Sequence, residues 1–298
     1  MRLPISQSAS LMLIAPLALI ASVASSQVAI AQSEPAHTHD REYEHFYIGV
    51  DGFDVLQNGD YAGLENPNYD RLTFLYSHVE EDPTTNHFHG IGSYSYSGAV
   101  DNPTINSTNT NNRIPETYTG LPPITLQPGT GIYADKLVST STGEEYSNLT
   151  IKAVSSLKSN EDPGAQYLFN SSDGRWSNSL ENAMPALELV SITDGLNIAD
   201  EQGLNILTQV GATYTWGSGD DISFTPTFWT DSSASAGTYS ATFRLLDLGN
   251  TKGGSFRESG TFNVDFTPVP EPSAFLGVGA FALLAFFRKN KLKKAVKF

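Results

Sequence analysis

Short runs in which apolar and polar residues alternate recur along the central part of this 298-residue chain. Such alternation puts successive side chains on opposite faces of a strand, and turn-forming residues separate the runs. The clearest runs cover residues 71–78, 92–97, 146–152, 221–229, 238–246 and 260–266. Only short stretches suit a helix, such as residues 180–189, which Pro185 interrupts. The pattern predicts an all-β, antiparallel, sandwich-like domain.

Residues 101–113 (DNPTINSTNTNNR) form a polar, low-complexity stretch without apolar periodicity, which is typical of a loop or linker. This stretch divides the body of the chain into a histidine-bearing part, residues 32–100, and a part rich in predicted strands, residues 114–267. Because the first part is small for a domain, the two parts could also share one sandwich.

The N-terminal residues 1–31 have the composition of a secretory signal peptide. Arg2 precedes an apolar run, residues 11–23, that is too short to span a bilayer. Small residues mark a cleavage site before Gln32, and a cut after Ala24 is an alternative. The segment predicts export and is left out of the fold.

The C-terminal residues 268–298 contain Pro270, Glu271 and Pro272, then an apolar run of about 15 residues, then a basic tail. The run is short for a transmembrane helix, and the basic tail should stay in the cytoplasm. The order of the three parts resembles the PEP-CTERM sorting signal of bacteria with exopolysaccharide-rich envelopes. The resemblance implies a short transmembrane sorting helix, transient anchoring in the inner membrane and cleavage by an exosortase-type protease. The mature protein would then lie at the cell surface or in the extracellular matrix. A plain membrane anchor is the alternative.

The charge balance narrows the range of partners. The whole chain has a formal net charge of −15. Much of its positive charge lies in the basic tail, so the part between the two ends is more acidic still. This argues against nucleic acid and anionic lipid as partners and favours cations. The chain has no cysteine, so any metal must be held by imidazole and carboxylate.

The histidines carry the clearest chemical signal, because all six lie in the first third of the chain: His37, His39, His45, His78, His87 and His89. On a strand, His87 and His89 would share one face while Phe88 points into the core. His78 ends the preceding predicted strand, and residues 80–86 have turn chemistry. A hairpin would bring the three imidazoles together, and with a carboxylate or water they would form a tetrahedral zinc site.

The other three histidines, His37, His39 and His45, follow the predicted cleavage site among acidic residues. They could close over the hairpin site or bind a second ion. Imidazole suits zinc, copper and nickel, and the affinity order favours copper, so spacing alone does not name the metal. Ordinary surface histidines without a bound metal are the alternative.

Three segments carry a further resemblance: residues 37–52, residues 66–78 (NPNYDRLTFLYSH) and residues 86–92 (NHFHGIG). They are similar to a cyanobacterial family of PEP-CTERM proteins repressed by the zinc-uptake regulator Zur, and the similarity extends over most of the chain. The resemblance implies a role in zinc limitation, with the six histidines as ligands. It implies no reaction.

Other sites have weaker support. The acidic turn at Asp51 and Asp54 lacks the residue order of a calcium loop. No strand precedes His37 to build a cupin barrel, and no nucleophile elbow is present. No catalytic group is identified, so we do not expect an enzyme.

The sequence thus predicts an exported, envelope-targeted, zinc-binding β protein that scavenges, buffers or presents zinc. A structural or adhesive protein of the exopolysaccharide matrix is the first alternative. A zinc hydrolase is the second, since a metal with an open coordination position can activate water.

Overall fold

Most of the regular structure is β-strand. The computed structural model describes residues 43–180, 183–249 and 256–269. The strands are β1 (Phe46–Val50), β2 (Leu72–His78), β3 (His87–Gly90), β4 (Ser95–Ser97), β5 (Thr104–Asn106), β6 (Arg113–Ile114), β7 (Ile124–Pro128), β8 (Lys136–Ser139), β9 (Ile151–Ala153), β10 (Pro185–Ile192), β11 (Asn197–Ala199), β12 (Asn205–Ile206), β13 (Thr213–Thr215), β14 (Ser223–Phe224), β15 (Thr227–Asp231), β16 (Tyr239–Asp247) and β17 (Phe262–Pro268). The helices are α1 (Pro163–Phe169) and α2 (Ser171–Gly174), with 3₁₀ turns at Pro83–Thr85, Thr117–Thr119, Gly131–Tyr133 and Val154–Ser159.

The strands form two main sheets and one small ribbon. The five-stranded sheet has the order β14-β9-β1-β2-β3. The ten-stranded sheet has the order β12-β11-β15-β8-β7-β17-β16-β10-β13, with β6 also paired to β17, and β4 pairs with β5 alone. The predicted predominance of β-structure in a sandwich-like fold is confirmed. The predicted antiparallel pairing holds for most strand pairs of the described residues, but β1 runs parallel to β9 and β17 runs parallel to both β6 and β7.

The main core lies between the two large sheets, as in a sandwich. Phe74 of β2 stacks on Phe262 of β17, with ring centroids 4.2 Å apart. Phe46 of β1 stacks on Phe74, and all three side chains are buried. Burying large aromatic side chains in this way gives the main driving force for joining the sheets.

A second apolar cluster covers the other face of the five-stranded sheet. Tyr47 and Leu75 of the sheet pack there with Leu157, Leu168 and Trp176, which belong to a helical segment at residues 154–176. Asp162 caps α1 by accepting hydrogen bonds from the backbone N–H groups of the first turn, and a proline follows it. Strand β2 is therefore buried on both faces, which explains its nearly continuous apolar sequence.

The two parts that the polar stretch separates share one core. β1, from the histidine-bearing part, pairs with β9 of the second part, and the main core draws on both. The polar stretch at residues 101–113 is itself partly ordered, because it contains β5. The histidine-bearing part is thus one edge of a shared sandwich.

The helix-like spacing at residues 180–189, which Pro185 interrupts, does not give a helix where the structure describes this segment. Pro185 begins β10, which lies between β13 and β16 and buries Ala186, Leu187 and Leu189. A proline is tolerated at the first residue of a strand, and pairing with two neighbours outweighs a weak helical spacing.

Several predictions fall outside the described residues. These are the signal peptide, the metal ligands His37 and His39, and the sorting signal with Pro270, Glu271 and Pro272. Within the described ranges, no helix has the length and apolar character needed to cross a membrane.

Candidate metal centre

The hairpin β2–β3 forms the frame of the site. The two strands pair antiparallel, with His78 opposite His87 and Tyr76 opposite His89. The connecting loop is tied down at Asn86, whose side chain accepts a hydrogen bond from the backbone N–H of Glu80 and donates one to a backbone carbonyl of α1. The predicted hairpin is confirmed, and so is its register at the end of β2.

Strand alternation places His87 and His89 on one face. Phe88 between them is buried in the second apolar cluster, as predicted. The ring centroid of His78 lies 5.4 Å from that of His87 and 4.2 Å from that of His89. The structure therefore brings together the three imidazoles that the sequence placed in one group.

Glu116 completes the group, although it was not among the candidate ligands predicted from the sequence. Its Oε2 lies 2.7 Å from His78 Nε2, and its Oε1 lies 2.7 Å from His89 Nδ1. The side chain is buried, and the hydroxyl of Tyr146 donates a hydrogen bond of 3.0 Å to Oε2. The sequence holds one faint signal, since Glu116 is the only acidic residue between Asp101 and Asp135.

His78, His89 and Glu116 can each offer one ligand atom, and these atoms lie within 4.8 Å of one another. Two imidazole nitrogens and a carboxylate oxygen are donors that divalent transition metals accept. These three residues thus form a group that could hold a metal ion.

The hydrogen bonds on the far side of His89 determine which of its ring nitrogens can be without a proton. His87 Nδ1 lies 2.9 Å from the carbonyl oxygen of Thr85, so it must carry a proton and donate it. In the neutral ring, His87 Nε2 is then an acceptor, and it lies 3.0 Å from His89 Nε2. When a metal takes the place of the proton between His89 Nδ1 and Glu116, His89 Nε2 can donate to His87, and the lone pair of His89 Nδ1 then faces the metal. This is the tautomer that a metal ligand needs.

His78 has a similar arrangement with a looser partner. Its Nε2 faces Glu116, and its Nδ1 lies 3.8 Å from Oε1 of Glu145, too long for a direct hydrogen bond. In the metal-free site the nearer carboxylate of Glu116 accepts a hydrogen bond from Nε2, and Glu145 favours a proton on Nδ1 once a metal replaces the proton on Nε2. Both imidazoles can therefore present a lone pair to the position beside Glu116.

The charge state of Glu116 depends on its two histidine neighbours. Burial alone would raise the pKa of its carboxyl group, but the hydrogen bonds and positive charge of His78 and His89 outweigh burial and lower the pKa to about 2. The carboxylate is thus ionised at neutral pH. Without a metal, His78 Nε2 and His89 Nδ1 donate hydrogen bonds to this anion, and a bound metal would replace both protons.

Tyr118 lies at the solvent side of the group. Its hydroxyl is 3.3 Å from His78 Nε2 and 3.2 Å from His89 Nδ1, and the residue is 61% exposed. Partial burial, then the nearby charges of Glu116, Glu145 and Glu80, raise its pKa to about 12. The hydroxyl therefore stays protonated at neutral pH and can donate a hydrogen bond.

His45 was predicted as a ligand, but it lies apart from this group. It stacks on Tyr47, with ring centroids 4.8 Å apart, on the face of the five-stranded sheet opposite His78. Side chains alternate along the strand, so Phe46 points into the main core and its two neighbours, His45 and Tyr47, point to the opposite face. Burial, with a smaller effect of Lys152, lowers the pKa of His45 to about 3.

The acidic turn considered for calcium has another role. The carboxylate of Asp51 is fully buried and forms an ion pair with Arg175. It also accepts a hydrogen bond of 2.8 Å from the side-chain amide of Asn66. These partners occupy both of its oxygens, so Asp51 ties the helical segment to β1.

Comparisons of this chain with models of known protein families, with curated proteins and with solved structures gave no match.

Proposed function

We propose that this protein binds zinc at His78, His89 and Glu116 and scavenges, buffers or presents it when zinc is scarce. The observation that carries the proposal is the convergence of two imidazole nitrogens and one carboxylate within 4.8 Å. Zinc accepts this donor set, and three protein ligands leave one position of a tetrahedron for water or an exchanging ligand.

The partners of the ligand residues support the proposal. The Thr85 carbonyl acts through His87 on His89, Glu145 lies behind His78, and the hydroxyl of Tyr146 binds Glu116. Metal-binding histidines usually donate their second N–H to a carbonyl, carboxylate or similar group, which fixes the ring and its tautomer. A chance cluster of surface histidines has no reason to be supported in this way.

The location of the group favours exchange over a closed structural site. Glu116 is buried, but the side chain of His89 is one-third exposed and Tyr118 lies at the surface. A metal can therefore enter and leave without unfolding the sandwich, which buffering or transfer requires.

A zinc titration of the metal-free protein by calorimetry tests the binding. We expect one site of submicromolar affinity that is lost in Glu116→Gln and in a double His78→Ala/His89→Ala variant. A His37→Ala/His39→Ala variant tests whether the N-terminal histidines contribute. Weak binding that is unchanged in the Glu116 variant would reject the site. Competition with copper and nickel tests the metal, because the general affinity order favours copper.

The physiological part of the proposal needs a separate test in cells that produce the protein. Deleting the gene should lower growth and cellular zinc content in zinc-depleted medium, and the wild-type gene should restore both while the Glu116→Gln gene should not. Equal growth and zinc content with and without the gene would reject a role in zinc limitation.

The place of action belongs to the same proposal. The signal-like N-terminus and the Pro-Glu-Pro, apolar and basic order of the C-terminus support export, transient anchoring in the inner membrane and processing by an exosortase-type protease. Exopolysaccharide at the cell surface is a further candidate partner. Mass spectrometry of the mature protein from the cell envelope would show whether both ends are removed.

A second candidate function is a zinc hydrolase. The observation in its favour is the protonated hydroxyl of Tyr118 beside both ligand nitrogens, where it could donate a hydrogen bond to a substrate oxygen. Turnover of ester, phosphate or peptide substrates that disappears in Glu116→Gln and falls in Tyr118→Phe would support this function. If the protein binds zinc fully but turns over none of these substrates, storage or transfer of zinc remains the proposed function.

A further inference from the structure

A cleft of about 470 Å³ opens beside the metal group, and His89, Glu116 and Tyr118 are among the residues that line it. This volume lies within the range of about 300–1,000 Å³ that is usual for small-molecule sites. The proposed zinc site uses only one part of the lining, so the rest of the cleft has no role in that function.

Aromatic rings form much of the remaining lining. Tyr61 and Tyr96 both line the cleft, and their ring centroids lie 5.3 Å apart. The hydroxyl of Tyr61 donates to the carbonyl oxygen of Gly98 at 2.8 Å, and that of Tyr96 donates to the carbonyl oxygen of Glu65 at 2.9 Å. These bonds hold two half-buried rings in fixed orientations, with their planes inclined by 42°, so the rings form a preorganised apolar platform that is angled and not flat.

The charged groups of the lining are already paired. Arg175 forms its ion pair with the buried carboxylate of Asp51, and Glu116 binds the two histidines. A phosphate or carboxylate would find no unpaired cation among the residues that line the cleft, and the net charge of −15 would repel it. An organic cation would likewise find no unpaired carboxylate in this lining. The cleft is therefore suited to a neutral ligand.

Three polar side chains of the cleft are available to form hydrogen bonds with a ligand. The side chains of Ser95, Asn111 and Ser172 line the cleft and form no hydrogen bond within the described part of the chain. Hydroxyl and amide groups beside a rigid aromatic platform suit a ligand with one apolar face and many hydroxyl groups. A pyranose ring has this character, because its C–H groups form a face and its hydroxyls form an edge.

We propose that the cleft binds a neutral sugar unit of a polysaccharide, stacked on the platform of Tyr61 and Tyr96 and hydrogen-bonded by Ser95 and Asn111. The site goes beyond the proposed zinc function and does not rest on it, since none of these four residues belongs to the metal group. A protein with both sites would hold zinc beside a neutral glycan.

Affinity electrophoresis in native gels tests the proposal with EDTA-treated protein. The probes are the neutral polysaccharides dextran, mannan and galactan and the acidic polysaccharide alginate. We expect at least one neutral polysaccharide to retard the protein. Tyr96→Ala should weaken retardation about fivefold to tenfold, as the loss of one aromatic stacking contact would.

Three further variants keep the result interpretable. Tyr96→Phe keeps the ring and should retain most of the binding. Asn111→Ala changes an exposed side chain that the fold does not need and should weaken binding. Tyr167→Ala, at a half-exposed tyrosine of α1 that does not line the cleft, should have no effect.

The proposal fails if no neutral polysaccharide retards the protein, if only alginate does, or if Tyr96→Ala and Asn111→Ala both bind like the wild type. Binding that appears only after zinc is added would also reject it, because the metal and not the platform would then hold the sugar. A zinc titration of Tyr96→Ala separates the two proposals, since this variant should bind zinc normally.

Discussion

His87 Nε2 lies 3.0 Å from His89 Nε2 and does not face the carboxylate of Glu116. His87 Nδ1 is bound to the carbonyl oxygen of Thr85, so a chain of two hydrogen bonds runs from the backbone of the hairpin loop to His89. From this geometry we expect His87 to orient the candidate ligand His89 and not to bind the metal itself, whereas the sequence predicted that all three histidines of the hairpin bind the metal.

Replacing His87 should therefore weaken zinc binding without abolishing it. We expect His87→Ala to reduce zinc affinity about 10-fold to 100-fold, as is usual when the partner of a ligand is lost, and His89→Ala to cost more. Calorimetry on the metal-free proteins measures both. Thr84→Ala is the matched control and should bind like the wild type, because the side chain of Thr84 lies in the same loop but, within the described residues, hydrogen-bonds only Asp82. Equal losses in His87→Ala and His89→Ala would mean that His87 is a ligand.

Charge at Glu116 should matter more than charge at Glu145. Glu116→Gln keeps the size of the side chain and removes the anion that faces both imidazoles, so we expect about a 100-fold or larger loss of zinc affinity. Glu145→Gln removes a carboxylate 3.8 Å from His78 Nδ1, on the far side of the ring, and should cost less than about tenfold. Competition with a zinc chelator measures the zinc affinity of both variants. A larger effect at Glu145 would place the metal on the other nitrogen of His78.

The sequence predicted the hairpin well because its information is local. Alternation fixed the faces of His87 and His89, and the loop chemistry fixed the register that places His78 opposite His87. Glu116 could not be derived in this way. It reaches the site because β6 pairs with β17, a partner about 150 residues later in the chain, and no local pattern encodes that contact.

The same limit explains the errors at His45 and at residues 180–189. Alternation along β1 puts His45 on the face opposite Phe46, but that face is buried only because a helical segment covers it. The helical segment lies more than a hundred residues later in the chain, so local alternation does not predict the burial of His45. Likewise, β10 gains its strand conformation from pairing with β13 and β16. Tertiary pairing overrode a weak helical spacing in that segment.

The buried imidazole of His45 should make stability depend on pH. Its pKa is lowered from 6.5 to about 3, so the unfolded chain binds a proton more readily than the folded one. Its contribution to stability is therefore complete above about pH 6.5 and is lost as the pH falls towards 3. Between pH 7 and 4.5 the single group should lower the free energy of unfolding by roughly 2–3 kcal/mol.

His45→Phe provides the test, because it keeps a ring to stack on Tyr47 and removes the titrating group. Urea unfolding of the EDTA-treated proteins at pH 7 and pH 4.5 should show a smaller loss of stability in the variant than in the wild type. Carboxyl groups titrate equally in both proteins and cancel in the comparison. Parallel losses in the two proteins would show that His45 is not buried in its neutral form.

The packing of Gly260 gives a test of the fold beside the cleft. A Cβ at this position would lie 2.7 Å from the backbone carbonyl of Ser93 and 2.8 Å from that of Ser107, and backbone atoms cannot rotate away as a side chain can. Gly260→Ala should therefore lower the free energy of unfolding by about 1–3 kcal/mol.

Gly90→Ala is the control, since its Cβ would meet only ordinary contacts of 3.5 Å or more and should change stability by less than about 0.5 kcal/mol. Because Ser93 also lines the cleft, the shift forced by Gly260→Ala should weaken polysaccharide retardation as well as stability. Chemical denaturation of both variants measures the first effect, and equal stability of the two would mean that the chain before β17 does not pack against Ser93 as described.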